Sequence, residues 1–148
     1  MIKNTMVMAF VVLIISWGCR GGADGPQRYE VSGTVTYDSK PVPRGSVFFE
    51  PDESAGASGP QGYAEIHDGK YSTSASGGKG AVTGAHLVRI EGFGADSEAV
   101  ADSFGEKIVP QLFSEYKTTV TLPQGNSRQN FDIPAAGISA NKSGSAGK

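Results

Sequence analysis

The chain has 148 residues, one cysteine and a formal net charge of −2. That length fits a single domain, the lack of a basic excess excludes a nucleic-acid face, and a lone cysteine excludes an intramolecular disulfide framework. Glycine (21) and proline (8) make up about a fifth of the chain, which suits an all-β protein rich in turns and lies below the roughly 25–30% of low-complexity chains.

Lys3 supplies a short positive N-terminal region, and residues 6–15, MVMAFVVLII, form an uncharged apolar run. A bilayer-spanning helix needs about 20 such residues, so a run of this length predicts a signal-peptide core. Small residues follow at Ser16 and Gly18, and Cys19 comes directly after them. The segment ISWGC (residues 15–19) resembles a bacterial lipobox. That resemblance implies cleavage between Gly18 and Cys19, acylation (diacylglycerol, palmitate) of Cys19, and a mature chain that starts at this residue. The alternative is an ordinary secretory signal with an incidental thiol. Lipid chains contribute about 0.8 kcal/mol per buried CH₂, so two or three give stable anchoring. Residues 20–27, RGGADGPQ, read as a flexible tether with an r.m.s. span of roughly 15 Å.

From Tyr29 the pattern changes to period two. Tyr29, Val31, Gly33, Val35 and Tyr37 fall on one face, and Glu30, Ser32, Thr34 and Thr36 on the other, as in a half-buried strand. Gly33 within that face predicts a bulge or the close approach of another backbone. The turn DSKP (residues 38–41) follows, and a Ser39 forced to φ > 0 costs about 1 kcal/mol. Pro41 and Pro43 donate no N–H to a ladder. Residues 46–50 predict a second strand, paired to the first as a hairpin. Val47 and Phe49 share its inner face, and Phe48 on the other face predicts a neighbour that shields it.

The motif V-x-G-x-V-x-Y-D-x-K-P-V-P-x-G-x-V-x-F-x-P over residues 31–51 resembles the start of the carboxypeptidase-regulatory-like, transthyretin-like domains of secreted bacterial lipoproteins. The likeness continues through DGKY (residues 68–71), GAHLVRI (84–90) and NFDI (130–133), and covers about residues 29–133. It implies a seven-stranded antiparallel β-sandwich of Greek-key type, and it specifies fold better than function.

Further along, residues 62–66 and 71–74 predict strands joined by the Asp68-Gly69 turn, a strong hairpin signal. ASGGKG (residues 75–80) lacks the spacing of a phosphate loop and reads as an inter-strand loop. Residues 85–91 predict a central strand in which His86, Val88 and Ile90 alternate with Leu87, Arg89 and Glu91. Residues 92–110 are the longest aperiodic stretch, with one or two helical turns predicted within 97–104. Loops of this length are usually functional or disordered. Phe93, Asp96, Glu98, Asp102 and Phe104 are therefore the candidate partner-binding residues. A plain solvated insertion or an adventitious metal are the other readings, and the acids lack calcium-loop spacing. Leu112, Phe113 and Tyr116, at near-helical spacing, are expected to plug one end of the core. Residues 118–122 and 128–133 predict the last two strands, and residues 134–148 a disordered tail.

Only His67 and His86 are candidate general bases. Asp68 adjoins His67, but neighbours on an extended chain point to opposite sides. Both histidines are read as satisfied structural residues. Hydroxyisourate hydrolases share the transthyretin-like fold, but this chain lacks their C-terminal Tyr-Arg-Gly-Ser. No catalytic residue, metal or cofactor is expected. The expected organisation is signal peptide 1–18, tether 19–28, β-domain 29–133 and tail 134–148. The expected function is that of an exported, lipid-anchored, non-catalytic module of the cell envelope that contacts a protein. Binding of glycans or peptides through the 92–110 loop is the alternative. The inner or outer membrane is left open, with the domain facing the periplasm or the exterior.

Overall fold

Strand β1 (Val31–Tyr37) is the hub of the fold, because four other segments pair with it. The computed structural model describes residues 25–96 and 99–135, so the predicted signal peptide, Gly18, Cys19 and most of the predicted tail lie outside the described residues. The other strands are β2 (Lys40–Pro41), β3 (Arg44–Pro51), β4 (Gly62–His67), β5 (Lys70–Ser72), β6 (Gly84–Phe93), β7 (Val100–Ala101), β8 (Lys107–Ile108), β9 (Gln111–Leu122), β10 (Ser127–Arg128) and β11 (Phe131–Ile133). A 3-10 turn covers Glu53–Ala55. The protein is all-β.

The main sheet runs β10-β1-β5-β4-β3-β6-β9, with β11 and β2 also on β1, while β7 and β8 form a separate two-stranded ribbon. The sheet curls on itself. Phe49 of β3 and Phe131 of β11 are far apart in strand order, yet their ring centroids lie 6.5 Å apart. Tyr71 joins them, 6.1 Å from each ring. Around this cluster Val31, Val35, Val47, Ile66, Val88, Ile90 and Ile133 are fully buried. The alternation of β1 and β3 thus faces one shared core, as period-two strands require.

The two tight turns form as predicted. Asp38 and Ser39 have φ of 49° and 63°, and Asp68 and Gly69 have φ of 49° and 74°. Positive φ at both central residues matches the twist of a two-residue hairpin. Ser39 therefore bears the strain expected of a side chain in the left-handed region.

The opening hairpin itself is corrected. Beyond the Asp38-Ser39 turn, only Lys40 and Pro41 pair back onto β1. The prolines end the ladder, and buried Val42 anchors the crossing: its N–H donates to Val35 O (3.1 Å) and its carbonyl accepts from Gly69 N (2.8 Å). β3 then pairs with β4 and β6 instead, and β5 takes the free edge of β1.

The expectation of a purely antiparallel sheet also changes, because β10 and β11 run parallel to β1. Gly33 explains how they fit. A Cβ there would stand 1.8 Å from Gln129 O, which is the close backbone approach that a glycine within a strand predicts. Between β10 and β11 other groups replace the ladder: Tyr71 Oη donates to Gln129 O (2.8 Å) and Thr34 N to Asn130 Oδ1 (3.1 Å). Burial pushes the Tyr71 phenol well above its ordinary pKa, so it stays a donor.

Residues 111–116 are strand, and Leu112, Phe113 and Tyr116 pack on the core as expected. Against β6, Ile90 faces Tyr116, but Gly92 faces Phe113 and Phe93 faces Gln111. β-Bulges in β9 absorb the extra residues and flip the side-chain parity. This is why Phe113 and Tyr116, three apart, both turn inward. Gly92 makes room for the Phe113 ring, which would lie 2.4 Å from a Cβ.

Gly33→Ala is expected to destabilise the fold by about 1–3 kcal/mol, the usual range for overpacking. Gly25→Ala, where a Cβ meets nothing within 4 Å, is expected to leave stability unchanged. Urea denaturation of the two variants checks the pair.

Candidate functional site

The end of the sheet where β3 begins gathers most of the residues singled out in the sequence. Arg44 pairs in register with both His67 and Phe93. Around them lies a shallow cavity of about 230 Å³, lined by Arg44, Ser46, Tyr63, Glu65, His67 and Phe93. Arg44 also forms an ion pair with Asp96, which fixes the start of the loop to the sheet.

The 92–110 stretch is a small hairpin, not an irregular loop. β7 and β8 pair as Val100–Ile108 and Ala101–Lys107; of the expected helical turns, the one described contact is Ala99 N–H donating to Asp96 O (3.2 Å), and residues 97–98 lie outside the described residues. Asp102 builds its turn. Its Oδ1 accepts from the N–H groups of Phe104 and Glu106, each at 2.8 Å, and Gly105 adopts φ 83°. A side chain that bonds the backbone two residues on is what favours Asp in turns. Phe104 at the tip is 92% exposed, and Val100 and Ile108 on the arms are 59% and 50% exposed. Phe93 is half-buried at the base. Glu98 lies outside the described residues.

The histidines are set apart by the sheet. His67 is exposed, and its Nε2 lies 3.2 Å from Glu65 Oε2. Its partner is thus the residue two positions earlier on the same face, not Asp68. Ser46, on the same outer face, has its Oγ 3.4 Å from the Tyr63 hydroxyl, and no hydrogen bond links it to His67 among the described residues. His86 points into the core. Its ring contacts Phe49 edge-on (6.5 Å), its Nδ1 lies 3.0 Å from Gly84 O, and its Nε2 has no partner. His86 is thus a core histidine bonded at one nitrogen only, and His67 a surface one paired with Glu65. Arg89 and Glu91 lie on the face opposite His86.

Apart from Phe48, no local pattern in the sequence marks the outer-face cluster. Arg89 lies 3.9 Å from the centre of the Phe48 ring and Tyr63 flanks it at 5.3 Å. These are the shielding neighbours that an aromatic residue on the polar side of a strand required. Arg89 also ion-pairs with Glu91, Glu50 (3.9 Å) and Glu115 (3.7 Å). Cross-strand register brings them together, since Phe48 faces Arg89 on β6 and Tyr63 on β4.

Among the described residues, no group of three or more His, Cys, Asp or Glu side chains is placed to hold a metal. No helix among them is long and apolar enough to cross a membrane. No family model and no curated protein matches the sequence. Among solved structures, a 9R-lipoxygenase from Cyanothece PCC8801 superposes with a TM-score of 0.31 at 12% identity. The superposition covers 73% of this chain and 16% of that one, and a likeness that loose carries no inference.

Two substitutions test the local account. Asp102→Ala should speed amide exchange at Phe104 and Glu106 while leaving global stability within about 0.5 kcal/mol, as for a surface site. His86→Leu should raise the melting temperature, because an unpaired buried polar group costs about 1–3 kcal/mol. Hydrogen exchange and thermal unfolding read the two outcomes.

Proposed function

We propose that this protein is a lipid-anchored, non-catalytic module of the cell envelope, with a transthyretin-like, carboxypeptidase-regulatory-like β-sandwich that holds a hairpin out to a protein partner. The single observation behind this reading is the polarity of the fold. The chain enters at Arg28 and Tyr29, beside Gln61, Gly80 and Ala81. That is the end where Phe49 pairs with Gly62. The β7–β8 hairpin follows Phe93, at the end where Arg44 pairs with His67. Five residue steps along β3, from Arg44 to Phe49, separate the two ends, about 17 Å at 3.3 Å per residue. A chain tethered through Cys19 would then hold the hairpin away from its membrane.

The hairpin's chemistry suits contact with a protein. An almost fully exposed Phe at a tip braced by Asp102 is a pre-shaped aromatic anchor, the kind of residue that dominates interfaces. Residues 94–109 carry four acids and one lysine, so the matching partner offers an apolar pocket with a basic rim. The non-catalytic assignment rests on the histidines, which lie on opposite faces of the sheet and contact no nucleophile among the described residues.

Two measurements test this. A photo-crosslinking residue at position 104, in the full chain in cells, should give a discrete protein adduct in the envelope fraction. The same residue at position 119, on the exposed side of β9, should not. Cys19→Ala should abolish palmitate incorporation and move the protein to the soluble fraction. A Cys19→Ala protein that stays in the membrane fraction would remove the anchor from the proposal, and silence at position 104 would remove the partner.

A further inference from the structure

The outer face carries a second concavity, at the end opposite the hairpin. It is an open cleft of about 520 Å³ walled by Arg28, Phe48, Gln61, Tyr63 and Lys79, within the size range of small-molecule sites. Nothing in the proposed function uses it.

Each wall has a structural cause. Lys79 exchanges both backbone hydrogen bonds with Tyr63, each at 2.8 Å, so the segment before β6 forms a raised rim beside β4. The Lys79 ammonium itself has no hydrogen bond or ion pair among the described residues. Arg28 is held in place, with Nη1 donating to the carbonyls of Gln61 (3.1 Å) and Gly80 (2.9 Å). Two bonds leave other donors of its five-donor fork free. Gln61 Nε2 donates to Glu50 Oε1 (2.9 Å), which fixes the amide and leaves its oxygen to accept. The Phe48 and Tyr63 rings, 47° apart in plane, form an aromatic ledge.

Two cations, a fixed amide and an aromatic ledge, with no carboxylate in the lining, select for a ligand of mixed character. It must be negatively charged and must present a flat apolar face. A bare anion would leave the ledge unused, and a neutral sugar would leave Lys79 unpaired. A lipid headgroup layer is flat, whereas this site is concave and sized for one or two sugar rings. We infer that the cleft binds a uronic-acid unit of an acidic saccharide. Its C–H face rests on Tyr63 and Phe48, its carboxylate meets Lys79 and Arg28, and a hydroxyl donates to the Gln61 oxygen.

The test is calorimetric titration of the full chain with tri-galacturonate, with its methyl ester, and with vesicles containing phosphatidylglycerol. Saturable binding of tri-galacturonate alone is expected. Lys79→Gln should weaken it about tenfold, the scale of one charged hydrogen bond. Tyr63→Ala should abolish it and Tyr63→Phe should retain it. Lys79 is exposed, so its variant keeps the test valid if Tyr63→Ala fails to fold. Equal binding of the methyl ester, an unchanged affinity in Lys79→Gln, a response to vesicles only, or no binding of tri-galacturonate would each overturn the inference. None of these outcomes bears on the hairpin or on Cys19.

Discussion

The carbonyl of Gln129 occupies the space where any side chain at position 33 would stand, and the closure of the whole sheet depends on that contact. β10 and β11 lie along β1 at a constant offset of 96 residues, from Val31–Ser127 to Tyr37–Ile133. The ladder lapses only beside Gly33. There the parallel pairing is replaced by Tyr71 Oη on Gln129 O and by Asn130 Oδ1 on Thr34 N. The same offset recurs in side-chain bonds, Glu30 N to Asn126 Oδ1 and Thr36 Oγ1 to Asp132 Oδ1. Holding that register keeps Phe131 and Ile133 on the inner face, because a slip of one residue would turn both outward. Phe131 then completes the ring cluster with Phe49 and Tyr71, which fixes the curl of the sheet.

Curling sorts the functional features by position. One end holds the entry of the chain, Arg28 and the basic cleft. The other holds Arg44, His67 and the hairpin. The strands between them are filled inside by Val, Ile and Phe side chains that leave little freedom to the backbone. Both ends are therefore held at a fixed separation by the most rigid part of the molecule. Rigid placement suits binding surfaces, since little ordering entropy is lost on contact. The hairpin gains the same advantage locally, because Asp102 bonds its turn before any partner arrives.

Much of this was legible in the sequence wherever the governing physics is local. The alternation of β1, the Asp38-Ser39 and Asp68-Gly69 turns, and the close approach at Gly33 each follow from residues within a few positions. What failed was partner choice. The period of residues 46–50 shows a strand and its inner face, yet nothing in it says that β3 pairs with β4 and β6 and not with β1. Val42, hidden between two prolines, carries that information only through its burial. The bulges of β9 failed for a related reason. Extra residues in a strand imitate a helical spacing, so Leu112, Phe113 and Tyr116 reach the core as expected, but from a bulged strand. β7 and β8 are two residues each, too short to show any period at all. Phe48 is the instructive case between these extremes. Its place on the wrong face required a shield, and the shield proved to be Arg89 and Tyr63, brought in from strands that the sequence did not show to be neighbours.

That shield also determines how far along the outer face an acidic ligand can extend. Arg89 carries the positive charge at the centre of the face, but Glu50, Glu91 and Glu115 surround it and neutralise it. Beyond it, Glu65 lies exposed beside His67. The field over the sheet therefore changes sign within a few residues, positive around Lys79 and Arg28 and negative from Glu50 onward. An acidic polymer crossing the strands would meet like charges directly after leaving the cleft. The arrangement favours a chain end or a short branch over a long strand laid across the sheet.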